Sequence, residues 1–542
     1  MRLGRTLRVL TVTGSLVLGL LATGPGSAAA SNPEGNYILI YDSTAHVDKD
    51  RARATGATVT ADLGAAGLLG VRTSNPASLQ LLPGVVAVAQ ERPRYQVPQE
   101  QVSSFTGASS NPIAGCASTL ASCPLQWDLA RINVSKAWTK TTGSSKVKVA
   151  VLDTGLTSSH EEVGANYDKA ESASFVQANT ICTADATTFS SIEDFNGHGT
   201  WTNTHVAGVN GALMTGIAPK ATLVNIRVLG ACGFGYDSWV MQGMLYGNQI
   251  GAQVESMSLG GFLCGHGVVA GSVYCGTKAQ VGTDPLLWKA YKQLITFMLN
   301  HGTVVVAAAG NDHARLDATG QVISHGTLAD VTVGPDPLND FFGVTEAPGG
   351  VPGVVAVAAL NRVTAAAVTS GETLYGQYGI GRSDQLSYFS NYGERIDVSA
   401  PGGARNYNVP RFDCVSAECM RTGTSTATST DNPEDFGAWG VDTGGAPCSN
   451  CYAFVQGTSM ATPQVAGVAV LALSANPGLN ARQLEALLRR SVTSFANSDK
   501  TPPIEDKMSM PTWNFSMDYD AVGISIHLMG TGVIDAARAV GA

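Results

Sequence analysis

Apolar and polar positions follow two different patterns along this chain, and the pattern of the larger part is typical of an α/β protein. From Trp127 onward, short apolar runs of strand length alternate with stretches of helical periodicity. Residues 146–153 form one such run, which ends in a carboxylate and a turn, and residues 304–309 form another. This alternation predicts a mainly parallel sheet with helices on both faces. We expect one large α/β unit over residues 126–542.

The preceding region, residues 31–98, is patterned as a small α+β domain with β-α-β-β-α-β (ferredoxin-like) order. In chain order, the expected strands and helices are strand 36–41, helix 45–54, strands 57–61 and 67–72, helix 76–82 and strand 85–89. Residues 99–125 are rich in Ser, Ala and Pro and lack periodicity. They are predicted to form a linker.

The first 30 residues have the pattern of a signal peptide. Arg2, Arg5 and Arg8 give a positive start, residues 9–22 are apolar but too short to span a bilayer, and 28–30 are alanines that a signal peptidase accepts. No later run reaches the roughly 18 consecutive apolar residues of a spanning helix. We therefore expect a soluble protein secreted to the extracellular space.

Composition narrows the class of partner. The chain has 542 residues, of which 44% are hydrophobic, so it can build a large core with extra segments. Only 14% are charged and the formal net charge is −9, without basic clusters or acidic runs. This pattern does not favour a nucleic acid or an anionic membrane as partner, and we expect a monomer.

The clearest chemical signal is a turn of small residues, Gly-Thr-Ser-Met-Ala-Thr-Pro at 457–463, before a long apolar run. It delivers Ser459 to the start of a predicted helix, whose N-terminus favours nearby negative charge. Serine is a poor nucleophile unless a base removes its proton. Asp153 ends a predicted strand, and His198 lies between two glycines before a helical stretch. The order Asp, His, Ser is one of three known routes to a catalytic triad.

These three segments resemble the motifs of the subtilisin-like serine proteases, the subtilases of peptidase family S8. Further stretches resemble other family motifs in the family's order: 216–221, 257–261, 304–311, 389–393 and 397–402. The resemblance runs from about Trp127 to about Val540. A single match would be weak, but so many in sequence are specific.

The resemblance implies a serine endopeptidase that cleaves peptide bonds through an acyl-enzyme, without a cofactor. Ser459 would attack the scissile carbonyl, His198 would act as base and Asp153 would orient it. Asn311 would donate to the oxyanion together with the serine's own N–H. Residues 31–98 resemble the family's propeptide, a chaperone and inhibitor whose tail lies in the cleft until it is cut. The cut of this autoprocessed zymogen is expected within or beside 99–125.

The resemblance also implies how polypeptide substrates bind. One strand edge would pair with the substrate backbone; its residues are Ser258, Leu259 and Gly260. The first specificity pocket would be lined by Ala308, Ala309 and Gly310. These small side chains leave room for a sizeable apolar residue. No acidic residue is assignable to the pocket, so basic specificity is not expected.

The histidine motif departs from the family pattern, which runs His-Gly-Thr-His-Val-Ala-Gly without a break. Here residues 201–204, Trp-Thr-Asn-Thr, are inserted. They make about one helical turn, or roughly 6 Å. If 205–208 kept their usual places, the base's position would fall on Thr202, which cannot serve. The insertion must loop out, or the helix must start one turn earlier. His198 is favoured as base, with His205 as the alternative.

Two other functions are alternatives to the serine endopeptidase. A catalytically impaired subtilase fold used for binding is supported by the insertion. An α/β-hydrolase esterase would need Gly-x-Ser-x-Gly, but Ala461 replaces the second glycine, and only His527 follows the serine.

Ten cysteines, an even number, agree with export. Proximity along the chain suggests four local disulfides: Cys116–Cys123, Cys264–Cys275, Cys414–Cys419 and Cys448–Cys451. This would leave Cys182 to pair with Cys232. The sequence does not determine the connectivity. The Ser/Thr/Gly-rich insertion at 403–454 is expected to form surface loops near the active-site entrance. Structural calcium is possible, but the clusters of Asp and Asn at 194–196, 311–312 and 431–435 match no defined loop and are expected to be solvated turns.

Overall fold

The computed structural model describes residues 34–96, 103–105, 125–179, 181–209, 213–264, 278–323, 343–361, 385–387, 389–403, 434–495 and 528–542. The predicted signal peptide, most of the predicted linker and His527 lie outside these residues.

Residues 34–90, here called the N-terminal unit, form a four-stranded antiparallel sheet with two helices in the expected order. Its elements are Gly35–Tyr41, helix Lys49–Ala54, Thr58–Leu63, Leu68–Thr73, helix Pro76–Leu79 and Val85–Gln90. Alternate side chains face opposite sides of a strand. Leu39 packs into the unit's own core, whereas Ile38 and Ile40 join the core of the larger unit. The N-terminal unit therefore buries one face of its sheet against the rest of the chain.

The large unit is built on a nine-stranded sheet, which confirms the expected fold class. In spatial order its strands are Val492–Thr493, Val533–Ile534, Val398–Pro401, Val355–Leu360, Val304–Ala308, Val254–Met257, Lys148–Asp153, Thr222–Arg227 and Ala173–Ser174. Neighbours run parallel except for the first pair. The interior strands are rich in Val and Ala because both faces are covered.

The helices of the large unit pack on this sheet and its edges. They are Trp127–Arg131, Val134–Trp138, Asp185–Thr188, His198–Ala207, Asp237–Gln249, Lys278–Asn300, Thr458–Ala475, Ala481–Arg490 and Ala536–Val540. We call His198–Ala207 the histidine helix and Thr458–Ala475 the serine helix. The serine helix has 18 residues and a mean hydropathy of 1.3, so by length and composition it could cross a membrane, contrary to expectation. It is 89% buried within the molecule, as a core helix would be.

Four small sheets complete the described structure. One joins Phe234–Tyr236, Pro93–Gln96 and Leu259–Gly260, and another joins Asp435–Ala438, Tyr452–Val455 and Ser103–Phe105. Two pairs are Phe262–Leu263 with Thr345–Glu346, and Arg315–Leu316 with Tyr392–Gly393. Asp435–Ala438 belongs to the 403–454 insertion, is fully buried and packs against the histidine helix. For this part, the expectation of surface loops was wrong.

Two predicted disulfides are present, Cys182–Cys232 and Cys448–Cys451. Cys264 is disulfide-bonded as well. Its predicted partner Cys275 and the predicted pairs Cys116–Cys123 and Cys414–Cys419 lie outside the described residues.

Replacing Glu255 with glutamine is expected to raise Tm at pH 7. Glu255 is fully buried on the central strand Val254–Met257, and neither carboxyl oxygen has a hydrogen-bond partner among the described residues. Burial raises its pKa well above the usual 4.5. The unfolded chain loses this proton near pH 4.5 but the folded chain keeps it, so stability falls as pH rises above that value. Glutamine carries no such cost.

The measurement is thermal unfolding of the wild-type and Glu255→Gln chains at pH 4 and pH 7. At pH 4 both states of the wild type are largely protonated, so the two chains should melt at similar temperatures. An equal Tm difference at both pH values would contradict this account of Glu255.

Candidate active site

Asp153 and His198 form a buried hydrogen-bonded pair. Asp153 is the last residue of strand Lys148–Asp153, and His198 is the first residue of the histidine helix. The His198 Nδ1 to Asp153 Oδ1 distance is 2.7 Å. The same carboxylate accepts from the Thr154 N–H at 2.7 Å and the Thr202 hydroxyl at 3.1 Å. These donors hold the carboxylate in place, and the bond to Nδ1 directs Nε2 of the ring away from it.

The four inserted residues are all helical, so the earlier helix start is the solution observed. The glycines on either side of His198 make it possible. Gly197 has φ +107°, and a Cβ on Gly199 would lie 2.2 Å from the Gly155 carbonyl oxygen. Only residues without a side chain let the helix begin this close to the strand end.

Asp194 organises the turn that precedes the histidine helix. Its carboxylate accepts from the N–H groups of Gly197 (2.9 Å) and Thr200 (2.8 Å) and from the Thr154 hydroxyl (2.9 Å). Asp194 is fully buried, so for this residue of the 194–196 cluster the expectation of a solvated turn was wrong. Among the described residues, no group of three or more His, Cys, Asp or Glu side chains could hold a metal ion.

His205 lies near the other end of the histidine helix, about two turns from His198. Its ring stacks on Trp201 with centroids 3.4 Å apart, and its Nε2 lies 3.6 Å from Asp128 Oδ2. Burial lowers the pKa of His205 to about 3. The geometry therefore places His198, and not His205, against Asp153.

Ser459 is the second residue of the serine helix and is 0% exposed. Its hydroxyl donates to the Ser258 carbonyl at 3.3 Å, and the Ser258 hydroxyl donates to the Ser459 carbonyl at 2.8 Å. Trp201 and Met460 belong to one buried cluster, and the histidine and serine helices pack against each other. Within the described part of the chain, His198 Nε2 has no hydrogen-bond partner. In enzymes of known mechanism, hydrogen bonds to a general base often tighten only when substrate binds.

Asn311 follows the buried strand Val304–Ala308 by three positions and is oriented by the residue before Ser459. Its side-chain oxygen accepts from the backbone N–H of Thr458 at 2.9 Å and from the Thr458 hydroxyl at 2.8 Å. A Cβ on Gly457 would lie 3.3 Å from Asn311 Nδ2. The amide N–H groups therefore face the turn that carries Ser459.

The oxyanion role predicted from the sequence implies that replacing Asn311 with alanine lowers kcat by roughly 10²–10³-fold. Asn311→Asp is the matched variant: it keeps an oxygen for Thr458 but has no N–H to donate. Steady-state kinetics on a peptide substrate should show a similar loss of kcat in both, with KM little changed. Unchanged kcat in the folded Asp variant would contradict the oxyanion role.

The predicted substrate edge is already occupied by the chain itself. Leu259 faces Gln96 and Gly260 faces Tyr95 in an antiparallel pairing. We call Pro93–Gln96 the tail strand, because it follows the N-terminal unit directly. Its other edge pairs with Phe234–Tyr236.

Sequence reasoning missed an acidic side chain beside this edge. Ala308 and Ala309 are buried as expected of a pocket wall, and Gly310 has φ +103°. The Glu346 carboxylate accepts from the Gly261 N–H at 3.0 Å, and a Cβ on Gly260 would lie 2.3 Å from it. Burial, and then the nearby charge of Asp312, raise the pKa of Glu346 well above its usual value. Glu346 is 85 positions from Gly261, so no local pattern signals the contact.

Comparison with known proteins places these observations in a family. A model described as the subtilase family, Peptidase_S8, matches residues 144–515. Subtilisin NAT from Bacillus subtilis subsp. natto is 28% identical over 359 residues, which is 65% of this chain and 62% of that protein. The chain thus spans less than two thirds of that relative's length.

Two solved structures share the fold. The epidermin leader peptide processing serine protease EpiP of Staphylococcus aureus has a TM-score of 0.61 at 18% identity, covering 94% of this chain and 98% of its own. Fervidolysin from Fervidobacterium pennivorans, a keratinolytic enzyme related to subtilisin, has a TM-score of 0.56 at 18% identity, covering 95% of this chain and 62% of its own. With the family model matching more than half of its length, this chain belongs to the subtilase family.

Proposed function

We propose that this chain is a secreted serine endopeptidase that hydrolyses peptide bonds with Asp153, His198 and Ser459. The observation that carries the proposal is the buried 2.7 Å hydrogen bond from His198 to Asp153. The histidine helix, which begins with His198, packs against the serine helix, which carries Ser459 near its start. A fixed carboxylate, a histidine and a serine at a helix N-terminus are the groups that acyl transfer requires.

In the reaction, His198 Nε2 takes the proton of the Ser459 hydroxyl as its oxygen attacks the scissile carbonyl. Asp153 stabilises the imidazolium that forms. The Asn311 amide and the Ser459 backbone N–H donate to the oxyanion. His198 then passes the proton to the leaving amine, and water hydrolyses the acyl-enzyme with the same histidine as base.

We further propose that the chain is made as an autoprocessed zymogen inhibited by its N-terminal unit. The tail strand occupies the substrate edge, and Ser103–Phe105 pairs with Tyr452–Val455, just before the Ser459 turn. The chain thus pairs both with the predicted substrate edge and with the strand that leads into the Ser459 turn. Asp153, His198 and Ser459 are all 0% exposed, so a substrate has no access in this state. Cleavage within or beside 99–125 would release the tail.

The binding-protein alternative depended on the insertion at 201–204. That insertion lies wholly within the histidine helix, and His198 keeps its bond to Asp153. The four inserted residues therefore lengthen the helix and leave His198 beside Asp153, which favours the peptidase.

The test is labelling with a fluorophosphonate probe, which reacts only with an activated serine. The full-length chain would be treated before and after maturation, and the labelled peptide identified by mass spectrometry. We expect labelling only after maturation and only on Ser459, together with hydrolysis of casein. A folded, matured chain that takes no label would favour the binding-protein function instead.

A further inference from the structure

The arginine at the centre of the tail strand is held in a pocket that the large unit supplies. Arg94 is 0% exposed, although it lies on a strand at the junction of two units. Its Nε donates to Asp237 Oδ1 at 2.7 Å, and its Nη1 donates to the Gly261 carbonyl at 2.8 Å. Its guanidinium carbon lies 5.6 Å from the centre of the Tyr291 ring.

The pocket is shaped for a guanidinium group. Asp237, the first residue of helix Asp237–Gln249, is fully buried, and the Tyr291 hydroxyl donates to its carboxylate at 2.8 Å. Two donors spread across a carboxylate and a carbonyl, with an aromatic ring nearby, match the planar fork of arginine. Lysine would present one compact charge and could not reproduce both bonds with the same geometry.

Two of the groups that bind Asp237 leave when the tail strand leaves. The other carboxylate oxygen accepts from the Arg92 backbone N–H at 2.7 Å, so this residue and Arg94 both come from the N-terminal side. When Arg92 and Arg94 have left with the tail strand, the Tyr291 hydroxyl is the remaining one of these three donors to the Asp237 carboxylate. The departure leaves a carboxylate that faces the emptied strand position, where a guanidinium group of a substrate can replace that of Arg94.

The pairing register relates the pocket to the nucleophile. Tyr95 faces Gly260 and Gln96 faces Leu259, so one more step along a substrate strand in this register lies opposite Ser258. The Ser258 carbonyl accepts from the Ser459 hydroxyl at 3.3 Å. A substrate residue opposite Ser258 therefore carries the carbonyl nearest the nucleophile. Counting back, the position of Arg94 is the fourth residue on the N-terminal side of the cleaved bond.

We propose that Asp237, Tyr291 and the Gly261 carbonyl form a substrate subsite that selects arginine four residues before the cleaved bond. The inference rests on the proposed peptidase function and names a class of substrate for it, polypeptides with arginine at that position. Asp284 extends the preference: the Arg92 guanidinium binds it with Nε at 3.0 Å and Nη2 at 3.0 Å. Arginine two residues further upstream should therefore be favoured as well.

The test begins with the matured wild-type enzyme, made from the full-length chain. Casein is digested and the cuts are mapped by mass spectrometry. An efficiently cut sequence is then made as quenched fluorescent peptides with arginine, citrulline or lysine at the fourth upstream position. Citrulline has nearly the shape of arginine without its charge. We expect kcat/KM to be about 10- to 100-fold higher for arginine than for citrulline, with lysine between them.

Two enzyme variants localise the effect. Asp237→Asn should bring the arginine-to-citrulline ratio close to one, whereas Asp284→Asn should keep that ratio and lose only the preference at the sixth upstream position. The peptide comparison on the wild type does not depend on either variant folding. Equal kcat/KM for arginine and citrulline would overturn the proposal and leave the pocket as an anchor for the tail strand. If no peptide were cleaved and no probe bound, the proposed peptidase function itself would fall, and this inference with it.

Discussion

Replacing Ser459 with alanine is expected to lower kcat for peptide hydrolysis by roughly 10⁶-fold and to leave the precursor uncut. The reason is that this substitution removes the hydroxyl that we propose attacks the scissile carbonyl. The fold should survive, because the Ser459 hydroxyl makes one hydrogen bond of 3.3 Å, to the Ser258 carbonyl. Hydrolysis of a fluorescent peptide and the size of the chain on a denaturing gel give the two readouts.

The serine helix offers a matched control for this substitution. Ser474→Ala removes a hydroxyl from the same helix, where it donates to the Val470 carbonyl at 2.7 Å, far along the chain from the nucleophile. That variant should mature and hydrolyse peptide like the wild type. A Ser459→Ala chain that still matures and turns over substrate would show that another residue is the nucleophile.

Replacing His198 with alanine is expected to remove fluorophosphonate labelling of Ser459 and to lower kcat by a similar factor, roughly 10⁶-fold. Without the imidazole that is bonded to Asp153 at 2.7 Å, nothing accepts the serine proton. His205→Gln should retain labelling, because His205 stacks on Trp201 and faces Asp128. Labelling and kcat are measured on chains whose fold is checked by thermal unfolding.

The chain contains a further control for the histidine. His301 begins a second His-Gly-Thr tripeptide, but it is exposed, and its ring bonds to the Phe297 carbonyl at 2.8 Å and stacks on the Phe297 ring. His301→Ala should therefore behave like the wild type. Labelling that persists in His198→Ala and disappears in a folded His205→Gln would assign the base to His205.

Local patterns explain why much of the fold was predictable. The period-two alternation that separates Leu39 from Ile38 and Ile40 also separates the two faces of the N-terminal sheet. The buried strand that ends at Asp153 and the small-residue turn before Ser459 are short segments whose conformation depends on neighbouring residues. Because parallel strands align their carboxyl ends at one edge, such segments predict a shared site.

The histidine motif shows where local reasoning stopped. The sequence left two solutions open for the inserted residues 201–204. The structure shows the earlier helix start, because Asp194 caps it and Gly199 packs against the Gly155 carbonyl. Those contacts come from a loop and a strand end that the helix meets only after folding.

The sequence by itself determined the α/β class and the α+β unit that precedes it, and it singled out Ser459, Asp153 and two candidate histidines, His198 and His205. Only the tertiary structure decided which histidine meets Asp153, that the tail strand covers the substrate edge, and that Glu346 lies beside Gly260. It also joined Arg94 to Asp237 across 143 positions. Secondary structure and motif chemistry arise from neighbours along the chain, whereas a buried charge pair arises where two folded surfaces exclude water. The exclusion of water depends on how segments distant in sequence pack together, so neither segment carries a local sequence pattern that reveals the pair.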